Sequence, residues 1–132
     1  MSHENVEIVR RSISAYNRRD LDALRGMNDP DVQMDWSASR GLEAGVHQGV
    51  EEVMRFHGDF FETFERVDLE AERFIESGDV VVVPNTAHIQ GRDGIETIAR
   101  STLVFEVRGG LIVRVSLYQE THEALEALEL SE

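Results

Sequence analysis

The 132-residue sequence predicts an α+β domain in which a curved antiparallel sheet leaves a built-in cavity. In the first half, apolar residues recur every three or four positions, a spacing typical of helices packed on one face. In the last third, two runs of alternating apolar and polar residues flank Gly109-Gly110. A Gly-Gly pair between such runs predicts a tight hairpin, because both turn residues can adopt positive φ. Helices first and long strands late are together typical of an α+β architecture.

Charge and composition indicate a globular chain that we expect to form one domain over residues 1–132. The hydrophobic fraction of 41% is enough for a core at this length. The 26 acidic and 13 basic residues give a formal net charge of -13. We expect neither nucleic acid nor a membrane surface as partner, because both bind cationic faces. We interpret the acidic excess as a feature that keeps a compact protein soluble.

Two missing residue types exclude several chemistries. The chain contains no cysteine, which excludes disulfides, thiolate nucleophiles and zinc–thiolate sites. All 13 basic residues are arginine, so lysine Schiff-base chemistry is excluded as well. The five histidines form no metal-ligating motif, and we expect neither a metal nor a cofactor. No apolar run approaches the roughly 20 residues of a membrane span, and the N-terminus has no signal-peptide pattern, which predicts a cytoplasmic protein.

The first half is predicted to hold three helices and one strand. An amphipathic helix spans residues 4–18, and Asp20 is a candidate N-cap for a short helix over 21–27. Residues 32–37 alternate as a strand that places Met34 and Trp36 on one face. Three glycines predict a loop over 38–49, which leads into a second long helix over 50–65.

The second half is predicted to consist of four strands and a closing helix. The strands cover residues 67–76, 80–90, 96–107 and the run after Gly109-Gly110, and the helix covers 121–130. The run of four valines that opens the second of these strands predicts burial on both faces. Apolar residues left on the outer face, such as Phe74 or one face of the hairpin, would be covered by a second copy, so we expect a homodimer.

The order of these elements and several local phrases resemble the nuclear-transport-factor-2-like superfamily, specifically its SnoaL-like branch. The phrases lie at residues 16–24, 29–32, 46–49, 78–82 and 108–114. The resemblance implies a cone, also called a cystatin-like roll, in which a bent antiparallel or mixed sheet wraps around the long helix. It also implies a pocket at the wide end of the cone, usually in a homodimer. Members include ketosteroid isomerases, epoxide hydrolases, polyketide cyclases and non-catalytic carriers.

The residues at the family's catalytic positions match only in part. Tyr16 falls where ketosteroid isomerases carry a catalytic tyrosine, whereas Met34 and Arg100 fall at or near the places of their two aspartates. Leu117 falls where epoxide hydrolases and cyclases carry an acidic residue. These departures argue against ketosteroid isomerisation and epoxide hydrolysis, and they favour a pocket that is apolar at those positions.

Three polar residues are the candidates for catalysis. His57 interrupts the apolar stripe of the second long helix, where it could move a proton or simply pack as a core histidine. Arg100 could bind an anionic oxygen or form a surface ion pair. Tyr16 could donate to a ligand oxygen or serve as core with a satisfied hydroxyl. The residues expected to bind the ligand by apolar contact are Met34, Trp36, Phe60, Phe64 and Leu117.

Three functions remain open from the sequence. One is a cofactor-independent isomerase, dehydratase, cyclase or hydrolase that uses His57, Tyr16 and Arg100 on a small apolar substrate. Another is a ligand carrier or sensor without chemistry, favoured by Met34 and Leu117. The last is a dimerisation module whose cavity is filled by its own Phe60, Phe61, Phe64 and Trp36.

Overall fold

The computed structural model describes residues 3–39 and 44–130, and within these residues the chain is an α+β domain of four helices and seven strands. In chain order the elements are α1 (Glu4–Asn17), α2 (Leu21–Met27), β1 (Asn28–Asp35), β2 (Val46–Gln48), α3 (Val50–Thr63), β3 (Phe64–Ala71), β4 (Ile75–Ser77), β5 (Val80–Gly91), β6 (Glu96–Arg108), β7 (Leu111–Tyr118) and α4 (Thr121–Ala127). The predicted fold class is confirmed. None of the described helices is long and apolar enough to cross a membrane.

The strands form one mixed, open sheet in the order β2-β1-β7-β6-β5-β3, with β4 paired to β5 beside this path. β1 runs parallel to β7, and the other pairs are antiparallel. The register shifts in three of these pairs, between β1 and β7, β3 and β5, and β6 and β7. Such irregularities bend a strand and increase its twist, which curves the sheet around the helices.

The inner face of the sheet packs against α1 and α3, and part of its outer face is covered by α4. Both long helices bury an apolar stripe, represented by Val9 and Ile13 on α1 and Val53 on α3. Ala124 and Leu125 of α4 are buried on the opposite side of the sheet, in a smaller cluster with Val82 and Val104. β5 therefore has apolar neighbours on both faces, as its run of valines predicts: Val81, Val82 and Val83 are fully buried.

Most long elements lie within two residues of their predicted ends, and the Asp20 cap is confirmed. The Asp20 carboxylate accepts a hydrogen bond from the backbone N–H of Ala23 at 3.0 Å. Two short strands contradict the prediction. β2 lies inside the segment predicted as a loop, where it pairs with β1. The strand predicted over 67–76 is interrupted after Ala71, because the three residues 72–74 lie opposite only two residues of β5 before the pairing resumes between Ile75 and Val82.

The apolar residues expected to need a second copy are covered within the chain. Phe74 is half-buried beneath the Arg10 guanidinium, which lies 4.4 Å from the centre of its ring. Val104, on the outer face of the hairpin, packs under α4. The exposed large apolar side chains of the described residues are instead Val46, Ile95 and Ile98. The sequence argument for a homodimer therefore loses the two features on which it was based.

Candidate functional site

A cavity of about 630 Å³ lies between the two long helices and the inner face of the curved sheet. Strand alternation selects the residues of β6 that reach it, Ala99, Ser101, Leu103 and Phe105, whereas Thr102 and Val104 face α4. α1 and α3 supply the opposite wall. All eight sequence candidates line this cavity: Tyr16, Met34, Trp36, His57, Phe60, Phe64, Arg100 and Leu117. The structure thus brings together residues that are spread over most of the chain.

Tyr16 and His57 lie side by side on the helical wall. Their ring centroids are 5.3 Å apart in an edge-on arrangement. The Tyr16 hydroxyl forms no hydrogen bond with the residues that the structure describes, so its donor is free for an occupant of the cavity. Burial raises the pKa of the Tyr16 phenol, and the positive charge of Arg19 only partly opposes this. The phenol therefore stays protonated and can donate a hydrogen bond at neutral pH.

His57 is a buried and neutral histidine. The residue is 8% exposed, and its Nδ1 has no hydrogen-bond partner among residues 3–39 and 44–130. Burial lowers the pKa of the imidazole to about 4, because the charged form would lose its hydration without gaining a partner. Its neighbours are aromatic, with the Phe56 ring centroid at 5.8 Å and Tyr16 on the other side. At neutral pH the ring can accept a proton, but as a weak base.

Arg100 is among the residues around the cavity, but strand alternation turns its side chain to the outer face of the sheet, with that of Ile98. Its side chain is 73% exposed and its Nη2 donates to both carboxylate oxygens of Glu72, at 2.8 and 3.0 Å. An exposed pair of this kind contributes little to stability, and solvent can compete with it. Of the two alternatives that the sequence left open for Arg100, the structure shows the surface ion pair.

Aromatic side chains form a continuous wall without filling the space that they enclose. The Phe56 ring lies 5.5 Å from Trp36 and 5.0 Å from Phe60, and Phe64 follows at 5.7 Å from Phe60. Met34 and Leu117 extend the apolar surface from the strands. With about 630 Å³ left open, the hypothesis of a cavity filled by its own aromatic residues is wrong.

The sequence reasoning did not select Asn85, the most buried polar side chain on the cavity wall. Asn85 is 1% exposed, and its Oδ1 has no partner in the described part of the chain. Strand alternation turns Asn85 and His88 to opposite faces of β5. The structure turns His88 outward to Glu70, at 3.2 Å, and Asn85 inward. The sequence could have indicated Asn85 through strand alternation, because residues 85, 87 and 89 lie on the same face of β5. Ala87 and Ile89 are short or apolar and also face the cavity.

Carboxylates are absent from the described cavity wall, and no group of three or more His, Asp or Glu residues in the described ranges could hold a metal ion. Asp35, next to the cavity residues Met34 and Trp36, turns outward and accepts from Arg114 at 3.2 Å and from the Ser37 hydroxyl at 2.5 Å. These hydrogen bonds lower the pKa of its carboxyl group, so Asp35 is ionised, and it is not among the residues that line the cavity. Polar chemistry in the cavity therefore depends on a phenol, an imidazole, amides and hydroxyls.

The chain is similar to known proteins in sequence and in fold. The sequence matches no curated protein, but the SnoaL-like domain model matches residues 9–115. An NTF2-like protein of unknown function from Burkholderia pseudomallei is 27% identical, with a TM-score of 0.79 and coverage of 96% of this chain and 97% of that one. TerC, co-crystallised with polyporic acid, is 22% identical, with a TM-score of 0.78 and coverage of 96% and 98%.

A Mycobacterium tuberculosis protein solved in complex with estradiol-17β-hemisuccinate is similar in fold at lower identity. It is 17% identical, with a TM-score of 0.79 and coverage of 89% of this chain and 94% of that one. These structures share the mixed sheet wrapped around a long helix, as the sequence resemblance predicted. The family match over residues 9–115 shows that the chain belongs to the SnoaL-like domain family, within the NTF2-like fold.

Proposed function

We propose that this chain binds a small, mostly apolar organic molecule in the cavity between α1, α3 and the sheet. The observation that carries the proposal is an apolar cavity of about 630 Å³ on whose wall two buried polar atoms, His57 Nδ1 and Asn85 Oδ1, have no hydrogen-bond partner among the described residues. Ligand pockets commonly measure roughly 300–1,000 Å³ and combine apolar walls with a few polar groups that fix orientation. The polyporic acid and estradiol-17β-hemisuccinate bound by two proteins of the same fold support a planar or polycyclic ligand.

Trp36 offers a direct test, because it is the single tryptophan of the chain and lines the cavity. Titration with estradiol-17β-hemisuccinate or polyporic acid is expected to change its fluorescence saturably. Ala87→Phe would fill part of the cavity and is expected to weaken binding at least about tenfold. His88→Phe, one residue along on the outer face, is the matched control and is expected to leave binding unchanged. No saturable change with either compound, or equal binding by Ala87→Phe, would contradict the proposal.

A second candidate, favoured by the Tyr16–His57 pair, is a cofactor-independent isomerase, dehydratase or cyclase. Neutral His57 would accept a proton from the ligand and return it to another ligand atom, so that the reaction needs no external oxidant or reductant. While His57 holds the proton, the Tyr16 hydroxyl would donate a hydrogen bond to the ligand oxygen that gains negative charge. Arg100 would take part only if its side chain left Glu72 and turned from the outer face toward the cavity. Met34 and Leu117 favour the simpler carrier or sensor, because neither can supply a proton.

Proton transfer can be tested separately from binding by hydrogen–deuterium exchange at the α-carbon of a bound ketone. We would use 2-tetralone in deuterated buffer and follow the loss of its α-proton signals by NMR. If His57 is the base, His57→Leu should reduce the protein-dependent exchange by about a hundredfold or more without loss of ketone binding. Tyr16→Phe should reduce exchange to a smaller extent. Binding without accelerated exchange would favour the carrier.

We propose a second copy of the chain as the protein partner, through the outer face of the sheet. Ile98 supports this proposal, because it is an apolar side chain on β6 that is 68% exposed and faces away from the cavity. Phe74 and Val104 do not contribute to this support, because residues of the same chain already cover them. A native mass spectrum is expected to give the dimer mass, and Ile98→Asp should shift it to the monomer. A monomer mass for the wild-type protein at micromolar concentration would exclude this partner.

A further inference from the structure

We infer that Asn85 determines ligand specificity by accepting a hydrogen bond from a neutral hydroxyl or N–H group of the ligand. The inference rests on the proposed ligand-binding function and specifies the class of molecule bound. Asn85 is not one of the catalytic residues proposed above. Tyr16 and His57 belong to the helical wall, whereas Asn85 belongs to the sheet.

The orientation of the Asn85 amide follows from its neighbours. Asn85 lies in the middle of β5, directly across from Ser101 of β6. Its Nδ2 faces three oxygen atoms, the carbonyls of Val83 and Ser101 at 3.4 and 3.3 Å and the Ser101 hydroxyl at 3.5 Å. Turning the amide around would set Oδ1 against two carbonyl oxygens, which repel it. The observed orientation is therefore the favourable one, and it directs Oδ1 away from these strand oxygens.

The Oδ1 atom is an acceptor without a donor. It is buried and has no hydrogen-bond partner among the described residues. A buried amide oxygen left in this state is unfavourable, because it has lost water and gained nothing in exchange. Asn85 lines the cavity, and the inward-facing residues beside it, Ala87 and Ala99, have short side chains. The occupant of the cavity can therefore supply the missing donor.

The surroundings also limit the charge of that donor. No Asp or Glu lines the described cavity wall, so an ammonium group placed there would be a buried cation without a counter-charge. A carboxylate or an ether oxygen would face the lone pairs of Oδ1 and be repelled. The remaining class is a neutral phenol, alcohol, enol or amide N–H on an otherwise apolar scaffold.

A pair of matched probes tests this in the wild-type protein. We would compare 2-naphthol with 2-methoxynaphthalene, which keeps the ring system but cannot donate, by fluorescence titration. The naphthol is expected to bind at least about tenfold more tightly. Equal affinities would overturn the inference, because they would mean that the ligand donates no hydrogen bond to Oδ1. The proposed ligand binding would still stand in that case. Failure of both probes to bind would instead overturn the proposed function.

Asn85→Leu then tests whether Asn85 is the acceptor. The two side chains are similar in volume, so the variant should bind 2-methoxynaphthalene as the wild type does, or more tightly, and lose the preference for 2-naphthol. His88→Leu, on the outer face of the same strand, is the matched control and should keep the preference. A preference that persists in Asn85→Leu would assign the contact to another group, such as Tyr16, and overturn the inference. If Asn85→Leu does not fold, equal affinities of the two probes for the wild-type protein still overturn the inference.

Discussion

At the scale of single residues, His57 makes the stability of the protein depend on pH. Its pKa is about 4 in the folded chain, where it is buried, against about 6.5 for a histidine exposed to water. Between these values the unfolded chain binds the proton and the folded chain does not. The free energy of unfolding therefore falls as the pH drops from about 6.5 to about 4, by up to roughly 3 kcal/mol. His57→Leu should remove this part of the dependence, as measured by urea unfolding at pH 7 and pH 5.

Two features of the structure make this measurement specific. Glu52 has its pKa lowered to about 2 by hydrogen bonds from Arg55 and His47, so its own contribution to stability is lost only below about pH 4.5. His88→Leu, on the outer face, provides the matched control, because its side chain contacts Glu70 and not the core. An unchanged difference in unfolding free energy between pH 7 and pH 5 in His57→Leu would show that other groups cause the dependence.

Sequence reasoning identified the residues on the helical wall better than those on the sheet. Tyr16 and His57 follow the helical period, which specifies the buried face directly. For a strand, alternation specifies only that Asn85 and His88 face opposite sides. Which side holds the cavity depends on where the helices pack. The ion pair of Arg100 with Glu72 joins residues that are 28 positions apart in the sequence, so no local pattern could predict it.

At the scale of elements, the turn between β6 and β7 requires glycine for its backbone conformation. Gly109 and Gly110 have φ values of 58° and 81°, and no atom lies within 4 Å of a Cβ built on either. Gly110→Ala should therefore lower the free energy of unfolding by about 1–2 kcal/mol through backbone strain alone. Urea unfolding at neutral pH measures the change.

Gly26 provides the opposite case for comparison. It lies in α2, its φ is not positive, and a Cβ there also meets nothing within 4 Å. Gly26→Ala should raise the free energy of unfolding by roughly 0.5–1 kcal/mol, because alanine is the better helix former. If both variants changed stability in the same direction, backbone conformation would not be the cause.

The long elements could be predicted from the sequence because their patterns extend over several turns or pleats. β2 and β4 have three residues each, too few for alternation to be distinguished from a loop. Both exist because a longer strand, β1 or β5, offers them a free edge. This information lies in the tertiary fold and not in the segments themselves.

At the scale of the whole molecule, the cavity could be anticipated but its size could not. The family resemblance implied a pocket at the wide end of a cone, and the SnoaL-like match and the mixed sheet agree with it. Whether the aromatic residues would fill the pocket depended on the directions in which they point. Phe56, Phe60 and Phe64 pack against one another along the wall, which leaves the space inside open.

The acidic excess should make stability increase with salt. With a net charge of -13, the compact state brings like charges closer together than the unfolded chain does. Raising NaCl from about 0.01 M to about 0.1 M shortens the Debye length from about 30 Å to about 10 Å, which screens this repulsion. If screening recovers about 1 kcal/mol, the Tm rises by about 4 °C. Scanning calorimetry at the two salt concentrations measures the shift.

A variant with fewer negative charges separates net repulsion from local ion pairs. Glu65 and Glu126 are exposed, and replacing both with glutamine should raise the Tm at low salt and reduce its dependence on salt. The competing contribution comes from surface pairs such as Arg55 with Glu52 and Asp59, which salt weakens. Because these pairs are partly exposed and each contributes little, we expect repulsion to dominate. A Tm that falls as salt is added would show instead that the arginine pairs outweigh the acidic excess.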